Sequence, residues 1–207
     1  MKIKSKLLLM LLVSLISACY EATGCYGPMT GTVVDAETGR PIEGAVVYVQ
    51  WTVTSGPPGL QTAKIYDVIE KVTDKNGKFR VCGILNPFVN RPVVVVYKKD
   101  YVPWRGDYIF PVYEHRKDFE WQRSYVFRLE HYRHTYAHSK HIFFISSGLP
   151  STAKLEQAYS WEDPLARKEE EIYGQKVKAT APGKVAENEI WRQIVEELYL
   201  KNGEGYK

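Results

Sequence analysis

The chain has 207 residues, 28 of them Lys or Arg and 24 Asp or Glu, for a formal net charge of +4. Three of those lysines and none of the acids lie in residues 1–18; without that segment 25 bases face 24 acids, a balance that excludes a strongly cationic nucleic-acid binder. The length suffices for one domain with a real core plus additional elements.

The chain opens MKIKSKLLLMLLVSLISACY. Lys2, Lys4 and Lys6 precede an eleven-residue apolar stretch, Leu7 to Ser17, and small residues precede Cys19. This is the layout of a secretory signal peptide, and the stretch is too short to span a bilayer comfortably, which takes about 20 residues. Ile16-Ser17-Ala18-Cys19 resembles a bacterial lipobox. The resemblance implies removal of residues 1–18, lipidation of Cys19 with palmitate-like acyl chains, and a short tether over 19–26. Tyr20, rather than Asp, after the cysteine implies the outer membrane of the cell envelope. The plain alternative is a secreted protein with Cys19 a free thiol. With Cys19 modified, Cys25 and Cys82 remain as an even pair in an oxidising compartment. A disulfide between them would contribute about 4 kcal/mol in the chain-entropy picture; two unpaired buried thiols are the alternative.

From residue 26 to about 130 the pattern is that of strands. GTVVD (31–35), AVVYVQWTV (45–53), DVIEKVT (67–73), KFRVCGI (78–84), PVVVVYK (92–98) and SYVFRLEHY (124–132) are short runs rich in Val, Tyr, Phe and Ile, each bounded by turn residues. Asp74-Lys75-Asn76-Gly77 between two alternating runs reads as a tight hairpin. GTVVDAETGRPIEGAVVYV (31–49) followed by VTDKNGKFRV (72–81) resembles the carboxypeptidase regulatory-like domain. The resemblance implies an antiparallel, seven-stranded, transthyretin-like β-sandwich over residues 27–132, with Asp35, Thr38 and Gly39 ending the first strand and Phe79 and Val81 pointing inward. The chain departs from that pattern at Lys98-Lys99-Asp100-Tyr101, where the family has Gly-Tyr. Such domains accompany peptidases without being the peptidase, so the fold does not give an activity.

Within the next stretch, Trp104, Tyr108, Phe110 and Tyr113 cluster in one long loop. They are candidate ligand-binding residues for sugar or peptide stacking, or else a hydrophobic lid. Four of five histidines then fall between residues 131 and 141. On a helix, His131, His134, His138 and His141 would share an arc of about 80° and form a candidate metal site. An extended chain would separate them, and the run contains no Cys, Asp or Glu to complete a site. We read the segment as a polar connection leaving the sandwich.

Residues 133–207 read as a mostly helical extension. Thr152 or Ser151 can cap a helix with Glu156 as the capping-box acid. Pro164 starts a second helix that Gly174 ends, with Glu169, Glu170 and Glu171 on a solvated face. The clearest helix spans 184–203: Ile190, Trp191, Ile194, Val195 and Leu198 form one apolar stripe, and Asn202-Gly203 stops it. The stripe must find a partner, either within this chain or on a second protein. The chain has no His-x-x-Glu, no Gly-x-Ser-x-Gly and no phosphate loop. The expectation is therefore a non-catalytic envelope lipoprotein without a cofactor, held to the membrane by its lipid and acting through an envelope protein partner. The alternatives are metal binding through the histidine run and glycan recognition through residues 101–113.

Overall fold

The computed structural model describes residues 25–179 and 186–200. The signal peptide, Cys19 and the Asn202-Gly203 stop lie outside the described residues. The strands in chain order are β1 (Cys25–Tyr26), β2 (Met29–Asp35), β3 (Val46–Ser55), β4 (Thr62–Val72), β5 (Lys78–Val81), β6 (Ile84–Leu85), β7 (Val93–Tyr97), β8 (Trp104–Arg105), β9 (Tyr108–Ile109), β10 (Glu114–His115) and β11 (Ser124–Leu129). The helices are α1 (His138–Ser146), α2 (Ala153–Tyr159), α3 (Asp163–Ala179) and α4 (Glu187–Val195). A 3₁₀ turn, Ser160–Glu162, leads into α3, and a π turn, Glu196–Leu200, continues α4.

Two sheets face each other, ordered β11-β2-β5 and β4-β3-β7-β8, with two-stranded ribbons β1-β6 and β9-β10 beside them. Val33, Phe79 and Phe127 of the first sheet meet Val49, Trp51 and Val96 of the second in one buried cluster. The middle strands β3 and β7 read as unbroken apolar runs because both of their faces are covered. Val47, Val49, Val94 and Val96 point into the sandwich, while Val46, Tyr48, Val95 and Tyr97 pack outward against Ile145 of α1 and Leu155 of α2. The helical extension is thus a third layer on the outer face of the four-stranded sheet.

Three expectations are corrected here. First, β11 runs parallel to β2, Phe127 opposite Val33, so the sandwich is mixed; β3 to β10 all lie between the two strands in the chain, more than the length a parallel connection needs. Second, the Asp74–Gly77 turn forms, with Gly77 N–H donating to Asp74 O at 2.8 Å and Gly77 at φ 70°, but it is not a hairpin. It carries the chain from β4 in one sheet to β5 in the other. Buried Thr73 fixes that crossing, its Oγ1 donating to Ile42 O at 2.7 Å and accepting from Ala45 N–H at 2.8 Å. Third, Cys82 is a free, exposed thiol, and the expected bond to Cys25 is not formed. The register pairs Cys25 with Leu85 and Tyr26 with Ile84. Gly83 lies so close to the Tyr26–Gly27 backbone that a Cβ there would sit 2.0 Å from Tyr26 O. Cys82 is therefore about three residues, roughly 10 Å, along the ribbon from Cys25, beyond the roughly 7 Å Cα separation a disulfide allows.

The departure at Asp100 has a local explanation. Asp100 adopts φ 71°, the left-handed conformation that glycine takes most easily and Asp tolerates. Helix α3 also runs past Gly174 to Ala179. One interior glycine costs only about 1 kcal/mol, and the flanking residues Tyr173, Gln175 and Lys176 continue the helix.

Candidate functional site

The histidine run does not form one face. His131 follows β11 and places Nε2 2.8 Å from Asp35 Oδ2, with its ring 4.7 Å from that of Tyr101. His134 is exposed in a turn. His138 and His141, on the first turn of α1, are each only 1% exposed. The reading of the run as a polar surface connection is thus corrected for its second half. Both Nδ1 atoms lie 2.7 Å from Oε2 of Glu162. The Tyr97 hydroxyl donates to Oε1 of the same carboxylate at 2.6 Å, and the Trp161 Nε1–H donates to the Tyr97 oxygen at 2.9 Å. The metal set His131, His134, His138 and His141 is split: His131 faces Asp35, His138 and His141 face Glu162, and His134 lies in the exposed turn between them, because the helix begins only at residue 138. Among the described residues no group of three or more His, Cys, Asp or Glu is placed to hold a metal ion.

Burial would push the Glu162 carboxyl up, yet hydrogen bonds from His138 and His141, the His141 charge and the Tyr97 hydroxyl hold it down at about 2. The Tyr97 hydroxyl is pushed far above the ordinary phenol range by burial and then by the Glu162 charge. Asp35 is lowered to about 2, chiefly by the Thr38 backbone N–H, with the Thr38 and Tyr101 hydroxyls and the Glu37 N–H adding to it.

Both ends of α1 are closed by side chains from elsewhere. Its N-cap, Ala137, offers no side-chain bond. Instead the fully buried Glu169 of α3 accepts the His138 and Ser139 N–H groups at 2.9 and 2.8 Å, and the Tyr199 hydroxyl at 2.9 Å. This corrects the reading of Glu169 as part of a solvated face. At the other end, buried Arg105 of β8 donates from Nη1 to the carbonyls of Phe144 and Ser147 at 2.9 and 3.0 Å. Nε and Nη2 of the same guanidinium grip Asp107 at 2.8 and 2.7 Å. An acid at the amino end and a cation at the carboxyl end complement the helix dipole. Helix α2 repeats the device: Glu70 of β4 accepts the Lys154 and Leu155 N–H groups at 3.2 and 2.8 Å, and Thr152 makes no cap bond. Ser151 donates to Glu156 instead.

The aromatic loop is divided. Trp104 is a core residue, 7% exposed, edge-on to Phe119 and Phe127, so its assignment to a ligand surface is corrected. Gly106 is pressed against Phe119, whose ring would lie 3.0 Å from a Cβ at that position. Tyr108 packs on His115 across the β9-β10 ribbon. Phe110 and Tyr113 reach the helical layer. Phe110 packs edge-on to Tyr136, His141 and Phe144, and the Tyr113 hydroxyl donates to Lys140 O at 3.3 Å. These two, with Tyr136, Lys140, Trp191 and Arg192, line an open groove of about 410 Å³. The structure so joins the aromatic loop, the middle of the histidine run and the last helix, three segments that the sequence presents separately. A second hollow of about 480 Å³ lies beside it, between Tyr108, Tyr113, Arg105 and Phe143.

The stripe on α4 docks within the chain. Ile190, Ile194 and Leu198 are buried against Ile172 and Tyr173 of α3, and Trp191 stacks on Tyr173 at 4.6 Å with 9° between the rings. The Lys140 ammonium lies 2.6 Å from Glu187 and 5.1 Å above the Trp191 ring. Arg192 pairs with Glu189 at 2.6 Å. The groove therefore offers ring faces and cations that already have partners. The residues that line it include no carboxylate, imidazole or thiol. No described helix is long and apolar enough to cross a membrane.

No family model matches the chain, and no curated protein does. Among solved structures it is similar to shaft pilin SpaA from Lactobacillus rhamnosus GG, at 15% identity and a TM-score of 0.33, over 53% of this chain and 47% of that one. It is similar also to a streptococcal ancillary pilin, at 17% identity and a TM-score of 0.28, over 52% of this chain and 30% of that one. A third is catechol 1,2-dioxygenase from an Acinetobacter, at 18% identity and a TM-score of 0.31, over 55% and 54%. The chain spans less than half the length of the two pilin structures.

Proposed function

We propose that the chain is a non-catalytic lipoprotein of a bacterial envelope, anchored at Cys19 and working through protein contacts. In this reading its sandwich is a seven-stranded, transthyretin-like domain of the carboxypeptidase regulatory-like kind. The lipobox resemblance supports the anchor, and two facing sheets of three and four strands support the domain. The observation that carries the non-catalytic reading is where the reactive groups sit. Glu162, Glu169, His138, His141 and Arg105 are all under 5% exposed and bonded to one another, to helix ends or to neighbouring side chains. Acid–base chemistry needs such a group within reach of a substrate; here they brace a helix, and the groove is left with rings and paired cations.

The test uses a photo-crosslinking residue at Tyr136 of the groove, with Val126 of β11 as the control position, in the full chain in its native membrane. A single protein adduct from the groove position alone is the expected result. Equal labelling from both positions would remove the groove as the contact surface. Intact-mass measurement of the same preparation should find acyl chains on Cys19. The ring-lined groove also favours a second reading, recognition of a sugar or another small ring-bearing ligand by Phe110, Tyr113 and Trp191. Silence on a glycan array would end the sugar form of that reading.

A further inference from the structure

The most exposed large apolar side chains among the described residues are Leu85 at 89%, Phe88 at 80% and Leu60 at 76%. All three belong to one end of the sandwich. Leu85 lies on β6, directly opposite Cys25 of β1. Phe88 follows in a turn closed by the Asn86 side chain, and the next residue, Val89, bridges to Val53 of β3. Asn90 clamps the same stretch, its side-chain amide donating to the Thr52 and Thr54 hydroxyls. Leu60 stands in the β3–β4 connection just beyond, where Ser55 pairs with Thr62. Exposed apolar groups at this level are a cost to an isolated soluble molecule unless something covers them.

The position of β1 says what covers them. The chain enters the described fold at Cys25, six residues after Cys19, and six residues reach at most about 20 Å. A lipid on Cys19 thus holds this end of the sandwich, and not the helical layer, within one short tether of the bilayer surface. Arg91, close enough to Tyr26 to act on its hydroxyl, and Arg123, whose carbonyl accepts from Thr30, are exposed at the same end, with Glu120 as the acid beside Trp121. Apolar tips flanked by cations suit a phospholipid headgroup layer, the apolar groups entering the acyl boundary and the cations meeting anionic lipid.

We infer that the Leu60, Leu85 and Phe88 end of the sandwich is a membrane-contacting face that seats the domain on the bilayer to which its amino terminus is tethered. This rests on the anchoring at Cys19. It gives the domain a fixed orientation: the sandwich end rests on lipid and the groove on the helical layer stays clear of it. The acyl chains on Cys19 suffice to hold the chain at the bilayer; what the face adds is orientation.

The experiment takes the full acylated chain, with Cys25 and Cys82 replaced by Ser, in vesicles of phosphatidylethanolamine and phosphatidylglycerol carrying doxyl-labelled acyl chains. An environment-sensitive fluorophore is placed in turn at Leu85→Cys, Phe88→Cys and Leu60→Cys, with Phe143→Cys on the exposed side of α1 as control. The expected result is a blue shift and loss of fluorescence at 85, 88 and 60, and neither at 143. Equal quenching at all four positions, or none at any, with acyl chains on Cys19 confirmed by intact mass, would overturn the membrane face and leave the anchor standing. Pyrene excimers from the Leu85→Cys protein without lipid quenching would give the face to a second copy of this chain. An intact mass without acyl chains would overturn anchor and face together.

Discussion

The sandwich and the helical layer are stabilised by different physics. In the sandwich, Trp51, Val49, Phe79 and Phe127 exclude water between two sheets, and polar side chains such as Asp35, which accepts the Glu37 and Thr38 N–H groups at 2.9 and 2.7 Å, and Thr73 tie turns to strands. In the helical layer, apolar contact is narrower, and single buried charges reach across from other elements to close helix ends: Glu169 and Arg105 on α1, Glu70 on α2. Apolar burial tolerates small changes in shape and degrades gradually. A buried charge whose partner is removed has nowhere to go, so the second region should fail at single residues.

Two substitutions of similar size separate the regions. Trp51→Ala, at a side chain fully buried between the sheets, should cost about 3–5 kcal/mol. It should lower protection of every slow amide, in the strands and in α1 alike, by hydrogen exchange. Glu162→Ala strands two buried imidazole donors and the Tyr97 hydroxyl, and should also cost about 3–5 kcal/mol. Its effect should be confined to amides of residues 138–169, with β3 and β7 still protected. Loss of protection in β3 to the same degree would mean that the two regions unfold as one, and the distinction drawn here would fall.

Acid should make the same distinction without a mutation. Glu162 titrates lower in the folded chain, at about 2, than its ordinary value of 4.5. Its contribution is therefore complete above about pH 4.5 and is lost as pH falls towards 2, on the order of 3 kcal/mol. Asp35 is lowered in the same direction, to about 2, and weakens the first turn of the sandwich over the same window. Because the core behind Asp35 is apolar, near-UV circular dichroism from Trp51 should outlast amide protection of α1 as pH is lowered to 2. A smaller effect follows at α2: Glu70→Gln, at a remote cap for Lys154 and Leu155, should cost about 1 kcal/mol, read as faster exchange of the 154–156 amides alone.

Most of the sandwich was legible in the sequence, and little of the helical layer's bracing was. Strand runs and turn residues are local signals, so most of 31–35, 45–53, 67–73, 92–98 and 124–132 falls on observed strands, whereas the run 78–84 is broken at Cys82-Gly83 into β5 and the start of β6. The unbroken apolar character of 45–49 and 93–97 even carried word of a cover on the outer face, because an alternating strand would have sufficed for a sheet wet on one side. Pairing partners are not local: nothing in SYVFRL says that it lies parallel to β2, and nothing in DKNG says that the next strand joins the other sheet. The groove depends on three segments meeting, and Glu162, Glu169 and Arg105 depend on helix ends that are 21 to 42 residues away. An acid read as part of a charged run looks the same whether it faces water or a helix terminus. The available signal was negative: the N-cap position of α1, Ala137, has no side chain that can cap, and an acid from elsewhere serves instead.

The smallest expected effect tests the correction at Cys82. A disulfide to Cys25 would have closed a loop of nearly sixty residues, and its loss would cost about 4 kcal/mol. With Cys82 exposed and unpaired, Cys82→Ser should change stability by less than about 0.5 kcal/mol, as surface substitutions usually do. The melting temperature should be the same in oxidising and reducing buffer, and Cys82 should react fully with a maleimide in the folded state. A reductant-dependent fall of several degrees, with no maleimide adduct before reduction, would mean that the two thiols are joined and that the β1-β6 ribbon slides by about three residues to let them meet. That slide would carry Leu85 and Phe88 with it, so the thiol measurement also checks the register on which the exposed end of the sandwich was described.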